Sequence, residues 1–113
     1  MITRTAIFEG KIKDGCEERF FSEIQTRLAP LWKQFPNASN VRLLRIEEAD
    51  QDAAPIVMIQ QIDYPSMDAV KAALESPIRT QARAVTLDIL EMFEGRFYHL
   101  MSDGNFVATE PGA

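Results

Sequence analysis

Alternating apolar and polar side chains predict four strands along this chain. Near the start, one parity is occupied by Ile2, Ala6, Phe8 and Ile12, the period-two signature of a strand. Runs rich in β-branched and aromatic residues predict further strands over 41–46, 56–62 and 96–101. The polar connection over 47–55 is too long for a tight turn and predicts an antiparallel hairpin with a loose tip. We expect Gly95 to break the pattern before the last strand.

The first helical stretch carries an apolar stripe with an internal proline. Its apolar residues recur at steps of four and three, namely Cys16, Phe20, Ile24, Leu28, Leu31 and Phe35. Asp14, with Glu17 three residues later, resembles a capping box and predicts that the helix begins there. Because Pro30 has no amide hydrogen for the carbonyl of Thr26, we expect a kink or a restart near Pro30. The segment over 36–39 should then end the helix.

The second helical stretch is interrupted by a serine-proline pair. Ser66 is expected to cap a short helix, and Ser76 followed by Pro77 should interrupt and recap it. After the interruption, one face carries Ile78, Ala82, Val85 and Ile89. The elements of the chain therefore follow the order β-α-β-β-α-β.

This order predicts an α+β fold of the ferredoxin-like kind, with both helices on one face of an antiparallel sheet. The other face of the sheet then needs a partner. We expect a single domain over residues 1–102, which is long enough for a modest core. The tail over 103–113 is rich in Gly, Pro and polar residues, and we expect it to be flexible or to dock on a partner.

The composition and charge of the chain indicate which compartment and which partners to expect. The net charge is −5 and basic residues are interleaved with acidic ones, so we expect no nucleic-acid partner. No basic leader precedes an apolar run, and no run approaches the roughly 20 apolar residues of a membrane span. With Cys16 as the only cysteine, no internal disulfide can form, which fits a reducing compartment. We therefore expect a cytoplasmic protein with no membrane partner.

His99 is the candidate catalytic residue. The sequence has no Gly-rich phosphate loop and no Cys or His cluster with metal-site spacing, so we expect no cofactor and no metal. His99 is the only histidine and shares parity with Phe97 and Met101 on the last predicted strand. It could place an imidazole in an apolar cavity as an acid, a base or a hydrogen-bond donor. The alternative is a structural histidine bonded to a backbone carbonyl.

Gln60 and Gln61 put an amide on each face of the third predicted strand. One of the two should face the helices, where neutral amides among apolar neighbours are typical of a pocket that orients a ligand. The alternative places one glutamine at the solvent edge and the other in a subunit interface. Both are candidates for substrate binding.

Three side chains on apolar faces are further candidates for substrate binding, namely Arg45, Trp32 and Tyr98. Arg45 and Arg4 each share parity with apolar residues of a predicted strand. Such a cation needs a carboxylate, either from a ligand or from an ion pair across strands. The acids available for that ion pair are Asp63, Glu9 and Glu47. Trp32 and Tyr98 could stack on a planar ligand, although aromatic residues at this spacing are also typical of a core.

Two short segments resemble motifs of a known superfamily. Residues 27–31, Arg-Leu-Ala-Pro-Leu, are similar to a His-Ala-Pro-Leu motif late in helix one, and residues 75–79, Glu-Ser-Pro-Ile-Arg, to a Ser-Pro break in helix two. From Ile2 to Met101 the chain resembles the dimeric α+β barrel superfamily. It is most similar to ethyl tert-butyl ether degradation (EthD) type proteins and their muconolactone-isomerase-like and antibiotic-monooxygenase-like relatives. Leu28 stands where the motif has histidine, so no catalytic residue is carried over from it.

The resemblance implies a C2 homodimer in which two sheets pack face to face as a barrel, with a cleft in each subunit between sheet and helices. Apolar residues on both parities of the first three strands agree with this arrangement. It also implies a cofactor-independent oxygenase or isomerase for an aromatic, lactone or polyketide-like small molecule. The alternative is a non-catalytic dimer that binds a small hydrophobic molecule. Haem degradation is a third option, disfavoured because Leu28 replaces the helix histidine and His99 lies on a strand.

Overall fold

A computed structural model describes residues 1–105. In this part of the chain, four strands form one antiparallel sheet in the order β2-β3-β1-β4. The strands are β1 (Ile2–Ile12), β2 (Ser39–Arg45), β3 (Ile56–Tyr64) and β4 (Phe93–Asp103). The helices between them give the order β-α-β-β-α-β, so the predicted ferredoxin-like α+β fold is confirmed. The strand β1 is central and pairs with β3 on one side and β4 on the other.

The first helical stretch is divided by a π-helical turn. It consists of α1 (Glu17–Glu23), the π turn (Ile24–Leu28) and α2 (Ala29–Trp32). In the π turn, the amide of Ala29 donates to the carbonyl of Ile24, five residues earlier. Pro30 then lies in the first turn of α2, where its missing amide hydrogen costs no helical bond. The restart predicted near Pro30 is therefore confirmed.

Both ends of this stretch differ from the prediction. The Asp14 cap is wrong, because α1 begins after Cys16 and Asp14 instead forms an ion pair with Lys11 at 3.1 Å. The last helical residue is Trp32, so the helix ends before the segment over 36–39. The π turn adds one residue to the helical repeat, and Trp32 rather than Leu31 is consequently buried.

The second stretch follows the predicted interruption. The helix α3 (Met67–Leu74) is capped by Ser66, whose hydroxyl accepts from the amide of Ala69 at 3.1 Å. The helix α4 (Pro77–Ile89) begins at Pro77, as predicted. The hydroxyl of Ser76 does not cap α4 but donates back to the carbonyl of Ala73 at 2.6 Å. None of the helices within residues 1–105 is long and apolar enough to cross a membrane.

The main core lies between the helices and one face of the sheet. The sheet contributes Ala6, Phe8, Met58, Ile62, Tyr64 and Phe93, all buried. The helices contribute Phe20, Ile24, Leu28, Trp32, Val70, Ala82 and Ile89. On β1 and β3 this face carries the even-numbered residues, so the helices cover the even-numbered side chains of these two strands.

The Asp63 carboxylate joins three strands at one end of the sheet. It accepts hydrogen bonds from the Thr3 hydroxyl at 2.7 Å, the Asn40 amide at 3.0 Å and the Arg42 guanidinium at 3.1 Å. The hydrogen bond from Arg42 is the main reason why the pKa of Asp63 falls to about 2. A buried carboxylate with this many donors is ionised and satisfied, so it fixes how β1, β2 and β3 meet.

Gly95 does not break the last strand, contrary to the prediction. It lies inside β4 directly opposite Gly10 of β1, and the two residues have φ angles of 149° and 148°. A Cβ atom on Gly95 would meet the Glu9 carbonyl oxygen and lie 2.8 Å from the Gly10 Cα. The two strands therefore approach closely here because neither residue has a side chain.

We predict that Gly95→Ala lowers the free energy of unfolding by about 2 kcal/mol or more, because the methyl group meets backbone atoms and the positive φ is strained. Gly104→Ala is the matched control, since a Cβ there meets no atom within 4 Å and should change little. Urea denaturation of the two variants measures the difference. Equal stability of both variants would contradict the close approach of β1 and β4.

Candidate functional site

A cleft opens between the sheet and α4 where small residues face each other. Ala6 lies on the sheet and Ala82 on α4, and both line the cleft. The space open to the centres of water molecules is about 70 Å³. The remaining lining residues are Arg4, Phe8, Trp32, Phe35, Gln60, Arg79, Arg83, Thr86, Phe97 and His99.

The register of the sheet places Gln60 and His99 on either side of Ala6. Ala6 pairs with Gln60 across β3 and with His99 across β4, so the three residues form one row on the same face. Adjacent strands are about 4.8 Å apart, so the two polar side chains start from backbones about 10 Å apart. The methyl side chain of Ala6 leaves the space between them open.

Two polar atoms in this cleft are buried without a hydrogen-bond partner among residues 1–105. They are Oε1 of Gln60 and Nε of Arg4. Gln60 is only 4% exposed. Buried polar groups are nearly always paired in folded proteins, because an unpaired one loses its bond to water. Unpaired polar atoms in a cleft of this kind are suited to bind a ligand.

His99 is neutral at pH 7. Burial is the main cause, and the positive charges of Arg4 and Arg79 add to it, so the pKa of His99 falls to about 4. The imidazole also packs edge-on against Phe97, with ring centroids 5.6 Å apart. A neutral imidazole has one donor and one acceptor nitrogen, so it can accept a proton or donate a hydrogen bond to a ligand.

Arg79 and Arg83 reach the cleft from one face of α4. The lining residues of α4 are spaced three or four apart at 79, 82, 83 and 86, which is a single helical face. The sequence analysis did not identify Arg79 or Arg83 as site residues. The available signal was their position beside Ala82 on the predicted inward face. Arg4 was recognised as a cation on an apolar face but not assigned to a site.

The structure brings together three of the predicted site residues and separates the other three. His99, Gln60 and Trp32 line the cleft. Gln61 and Tyr98 lie on the opposite face of the sheet, where Gln61 accepts from Arg42 at 3.1 Å and donates to Thr5 at 3.3 Å.

Arg45 lies on the helix-facing side but does not line this cleft. Its guanidinium pairs with Glu17 at 2.7 Å and lies over the ring of Phe21, 4.3 Å from the centroid. The carboxylate that Arg45 was expected to need thus comes from α1. The predicted ion pair across strands is not formed by this residue.

Leu28 is buried in the core at 2% exposure and does not line the cleft. It lies one helical turn before Trp32, which does. Leu28 has no group that can transfer a proton, so any proton transfer must use another residue. Within residues 1–105, no three His, Cys, Asp or Glu side chains are grouped so that they could hold a metal ion.

Solved structures share the fold of this chain, although no protein-family model and no curated protein matches its sequence. An EthD family protein from Bacillus halodurans C-125 superposes with a TM-score of 0.71 at 13% identity, covering 93% of this chain and 99% of that protein. SnoaB from Streptomyces nogalater, described as a cofactor-independent oxygenase, gives 0.64 at 19% identity over 96% and 97%. A dimeric protein of unknown function from Bacteroides fragilis gives 0.66 at 8% identity over 91% and 95%.

At these identities the similarity establishes the fold and nothing finer. The chain has the ferredoxin-like α+β fold of EthD-type proteins, and the resemblance stated from residues 27–31 and 75–79 is confirmed at that level. The reaction, the substrate and the assembly of this chain need their own arguments.

We predict that the imidazole signals of His99 in a proton NMR titration stay in the neutral form down to about pH 5, with a midpoint near 4. Arg79→Gln should raise this midpoint because it removes a positive charge. Since the folded pKa lies below the ordinary value of 6.5, the folded state binds fewer protons than the unfolded one, and stability should fall as the pH drops from about 6.5 to 4. A midpoint near 6.5 would show that His99 is solvated and does not lie in a buried cationic cleft.

Proposed function

We propose that this chain is a cytoplasmic protein that binds a small aromatic or lactone-type molecule in the cleft and converts it without a cofactor, as an oxygenase or isomerase. The observation that carries the proposal is the convergence of neutral His99, the unpartnered side-chain oxygen of Gln60 and the buried, unpartnered Nε of Arg4. The half-buried Cys16, the only cysteine of the chain, fits the reducing cytoplasm.

Both reactions begin with the same species. Removal of a proton from an activated carbon or a phenol gives an enolate or phenolate anion, which the substrate itself supplies. An isomerase returns the proton to a different carbon of this anion. His99 can accept the proton, and the growing negative charge beside it raises its pKa as the proton arrives. Arg4 and Arg79 supply the positive potential that stabilises the anion.

In the oxygenase case, the same anion reduces dioxygen directly. One electron passes to dioxygen, the two radicals combine to form a carbon-oxygen bond, and the peroxide takes a proton from His99. Loss of water from this hydroperoxide leaves a carbonyl group. In total a methylene group and dioxygen give a carbonyl group and water, so the substrate supplies all four electrons. SnoaB, with the same fold, is described as an oxygenase of this cofactor-independent class, which supports the proposal by analogy.

A second candidate function is non-catalytic binding of a small hydrophobic molecule. Leu28 at the position of the family histidine favours it, because the proton-transfer group of that motif is absent. The modest size of the cleft favours it too, since pockets for drug-sized ligands are usually about 300 Å³ or larger. The two functions share the cleft and differ only in whether His99 moves a proton.

We also propose that the chain forms a C2 homodimer through the open face of the sheet. A row of side chains on that face runs in register across all four strands, namely Leu44, Ile59, Ile7 and Tyr98. Leu44 is 41% exposed, and Leu100 beside this row is 52% exposed. An apolar sheet face of this kind is stabilised by packing against a second sheet. The Bacteroides fragilis protein with this fold is described as dimeric.

For a phenol or lactone that the wild type converts, we predict that His99→Ala lowers kcat/KM by about 100-fold or more, the usual contribution of a positioned acid or base. Gln60→Leu should mainly raise KM, because it removes a ligand contact. Oxygen uptake or isomer formation measures both. Gln81→Leu on the exposed face of α4 is the control and should have no effect. Full activity of both cleft variants would remove these assignments, and no turnover by a wild type that binds the compound would favour non-catalytic binding.

We predict a dimer mass in sedimentation at micromolar concentration. Ile59→Lys should give a monomer, because it places a charge in the centre of the apolar row. Leu87→Lys is the control, since Leu87 is 51% exposed on α4 and away from the sheet, and this variant should remain dimeric. A wild type that sediments as a monomer would contradict the proposed dimer.

A further inference from the structure

The arginines of the chain fall into two groups. Five of the eight form ion pairs with carboxylates, namely Arg19, Arg27, Arg42, Arg45 and Arg96. The other three have no carboxylate partner among residues 1–105, namely Arg4, Arg79 and Arg83. All three line the cleft described above. The arginines without partners are therefore concentrated at a single place in the fold.

The cleft has the opposite charge to the rest of the protein. The chain carries 17 acidic residues and a net charge of −5, yet no acid lines the cleft. Three guanidinium groups thus face one small space without a counterion from its lining. A positive potential of this kind raises the local concentration of anions and speeds their association.

Arg4 carries the clearest sign of a ligand-binding site. Its Nε is buried without a hydrogen-bond partner in the described part of the chain. Burial is the main cause that lowers the pKa of Arg4; Tyr64 partly opposes this effect, and the neighbouring charge of Arg79 adds to it. A guanidinium presents five donors in a planar fork, and a carboxylate is the group that matches this fork with two parallel bonds.

Gln60 sets a second, independent requirement for the chemistry of the ligand. Its Oε1 accepts hydrogen bonds only, is buried and has no hydrogen-bond partner among residues 1–105. A carboxylate has no donor to offer it, so a ligand that satisfies both Arg4 and Gln60 carries a donor such as a hydroxyl group besides the anion. His99, on the other side of Ala6, can bond the same hydroxyl or the anion.

The volume and the aromatic lining of the cleft indicate the size and shape of the ligand. A water needs about 10–15 Å³ of such space, so 70 Å³ holds about five waters, or roughly 150 Å³ of liquid. This is the scale of one ring with small substituents rather than several fused rings. The aromatic walls from Trp32, Phe35 and Phe97 provide faces and edges for a planar ring.

We propose that the cleft is a binding site for a single-ring aromatic carboxylate that bears a hydroxyl group. The carboxylate faces Arg4 and Arg79, the ring lies among the aromatic walls, and the hydroxyl faces Gln60. Arg83, which is exposed, draws the anion towards the opening. This inference rests on the proposed function and deepens it, since it names the substrate class of the same cleft.

The test compares 3-hydroxybenzoate with its neutral isostere 3-hydroxybenzamide by isothermal titration calorimetry at low salt. We expect the carboxylate to bind at least tenfold more tightly, and this preference to shrink as salt is added. Arg4→Met and Arg79→Gln should each weaken the carboxylate by roughly tenfold to a hundredfold and leave the amide unchanged. Arg19→Gln, an exposed arginine of α1 outside the cleft, is the control and should change neither.

Gln60 is tested with the set of 2-, 3- and 4-hydroxybenzoate against benzoate. We expect at least one hydroxybenzoate to bind more tightly than benzoate, and Gln60→Leu to abolish this difference. Folding is monitored by urea denaturation of the free variants. Because Arg4→Met replaces a half-buried cation that has no carboxylate partner among residues 1–105 with an apolar chain of similar length, its stability should equal or exceed that of the wild type. Arg79→Gln, which changes a helix side chain, provides a second test of the anion contact.

Equal binding of the carboxylate and the amide, or arginine variants that do not change the preference, would overturn the anion site. Turnover or binding of a neutral phenol or lactone would then leave the proposed function standing. If 3-hydroxybenzoate, 3-hydroxybenzamide and neutral aromatics all fail to bind, the inference and the proposed function both fail. Tight binding of the carboxylate without turnover supports the anion site and favours the non-catalytic function.

Discussion

The central position of β1 is the constraint on which the rest of the structure depends. Because β1 pairs with β3 and β4, each of its side chains can point to only one of two faces. One face carries Arg4, Ala6 and Phe8 beneath the helices, and the other carries Thr3, Thr5 and Ile7. A shift of one residue in register would exchange the two faces completely. The register therefore decides at once where the core, the cleft and the open face of the sheet lie.

Period-two alternation predicted the strands, and together with the helical apolar stripes it predicted the overall fold, because both features are local and repeated along each element. Two local rules failed, one because of a distant residue and one because of a backbone turn. Gly95 resembles a strand breaker until Gly10 is found opposite it, and that pairing joins distant parts of the sequence. Asp14 matches a capping pattern, but Gly15 adopts a φ of 79° and turns the chain, so that the helix begins after Cys16. Neither the pairing of Gly95 with Gly10 nor the turn at Gly15 can be predicted from sequence spacing alone.

The candidate site was also predictable only in part, because tertiary structure decides which side chains come together in the cleft. Parity placed His99 with Phe97 and required that one of Gln60 and Gln61 face the helices, but it could not say which. Arg79 and Arg83 were missed because an arginine on a helix is usually solvated, and only the tertiary structure shows that α4 faces Ala6 with this side. The Nε of Arg4 is buried and has no hydrogen-bond partner among residues 1–105. Its desolvation costs folding free energy that a ligand would recover, so stability and binding oppose each other at this position.

The π turn at Ile24–Leu28 determines which aromatic side chain forms a wall of the cleft. One additional residue in a helix rotates everything after it by about 100° relative to everything before it. Trp32 therefore lines the cleft because the π turn adds one residue before it, as well as because it is a large aromatic side chain. A homologue with one residue fewer over 24–28 would place a different side chain against the ligand, even if residues 29–35 were identical. An alignment of such a homologue should carry its gap inside the π turn, and ligand preference should change with that gap.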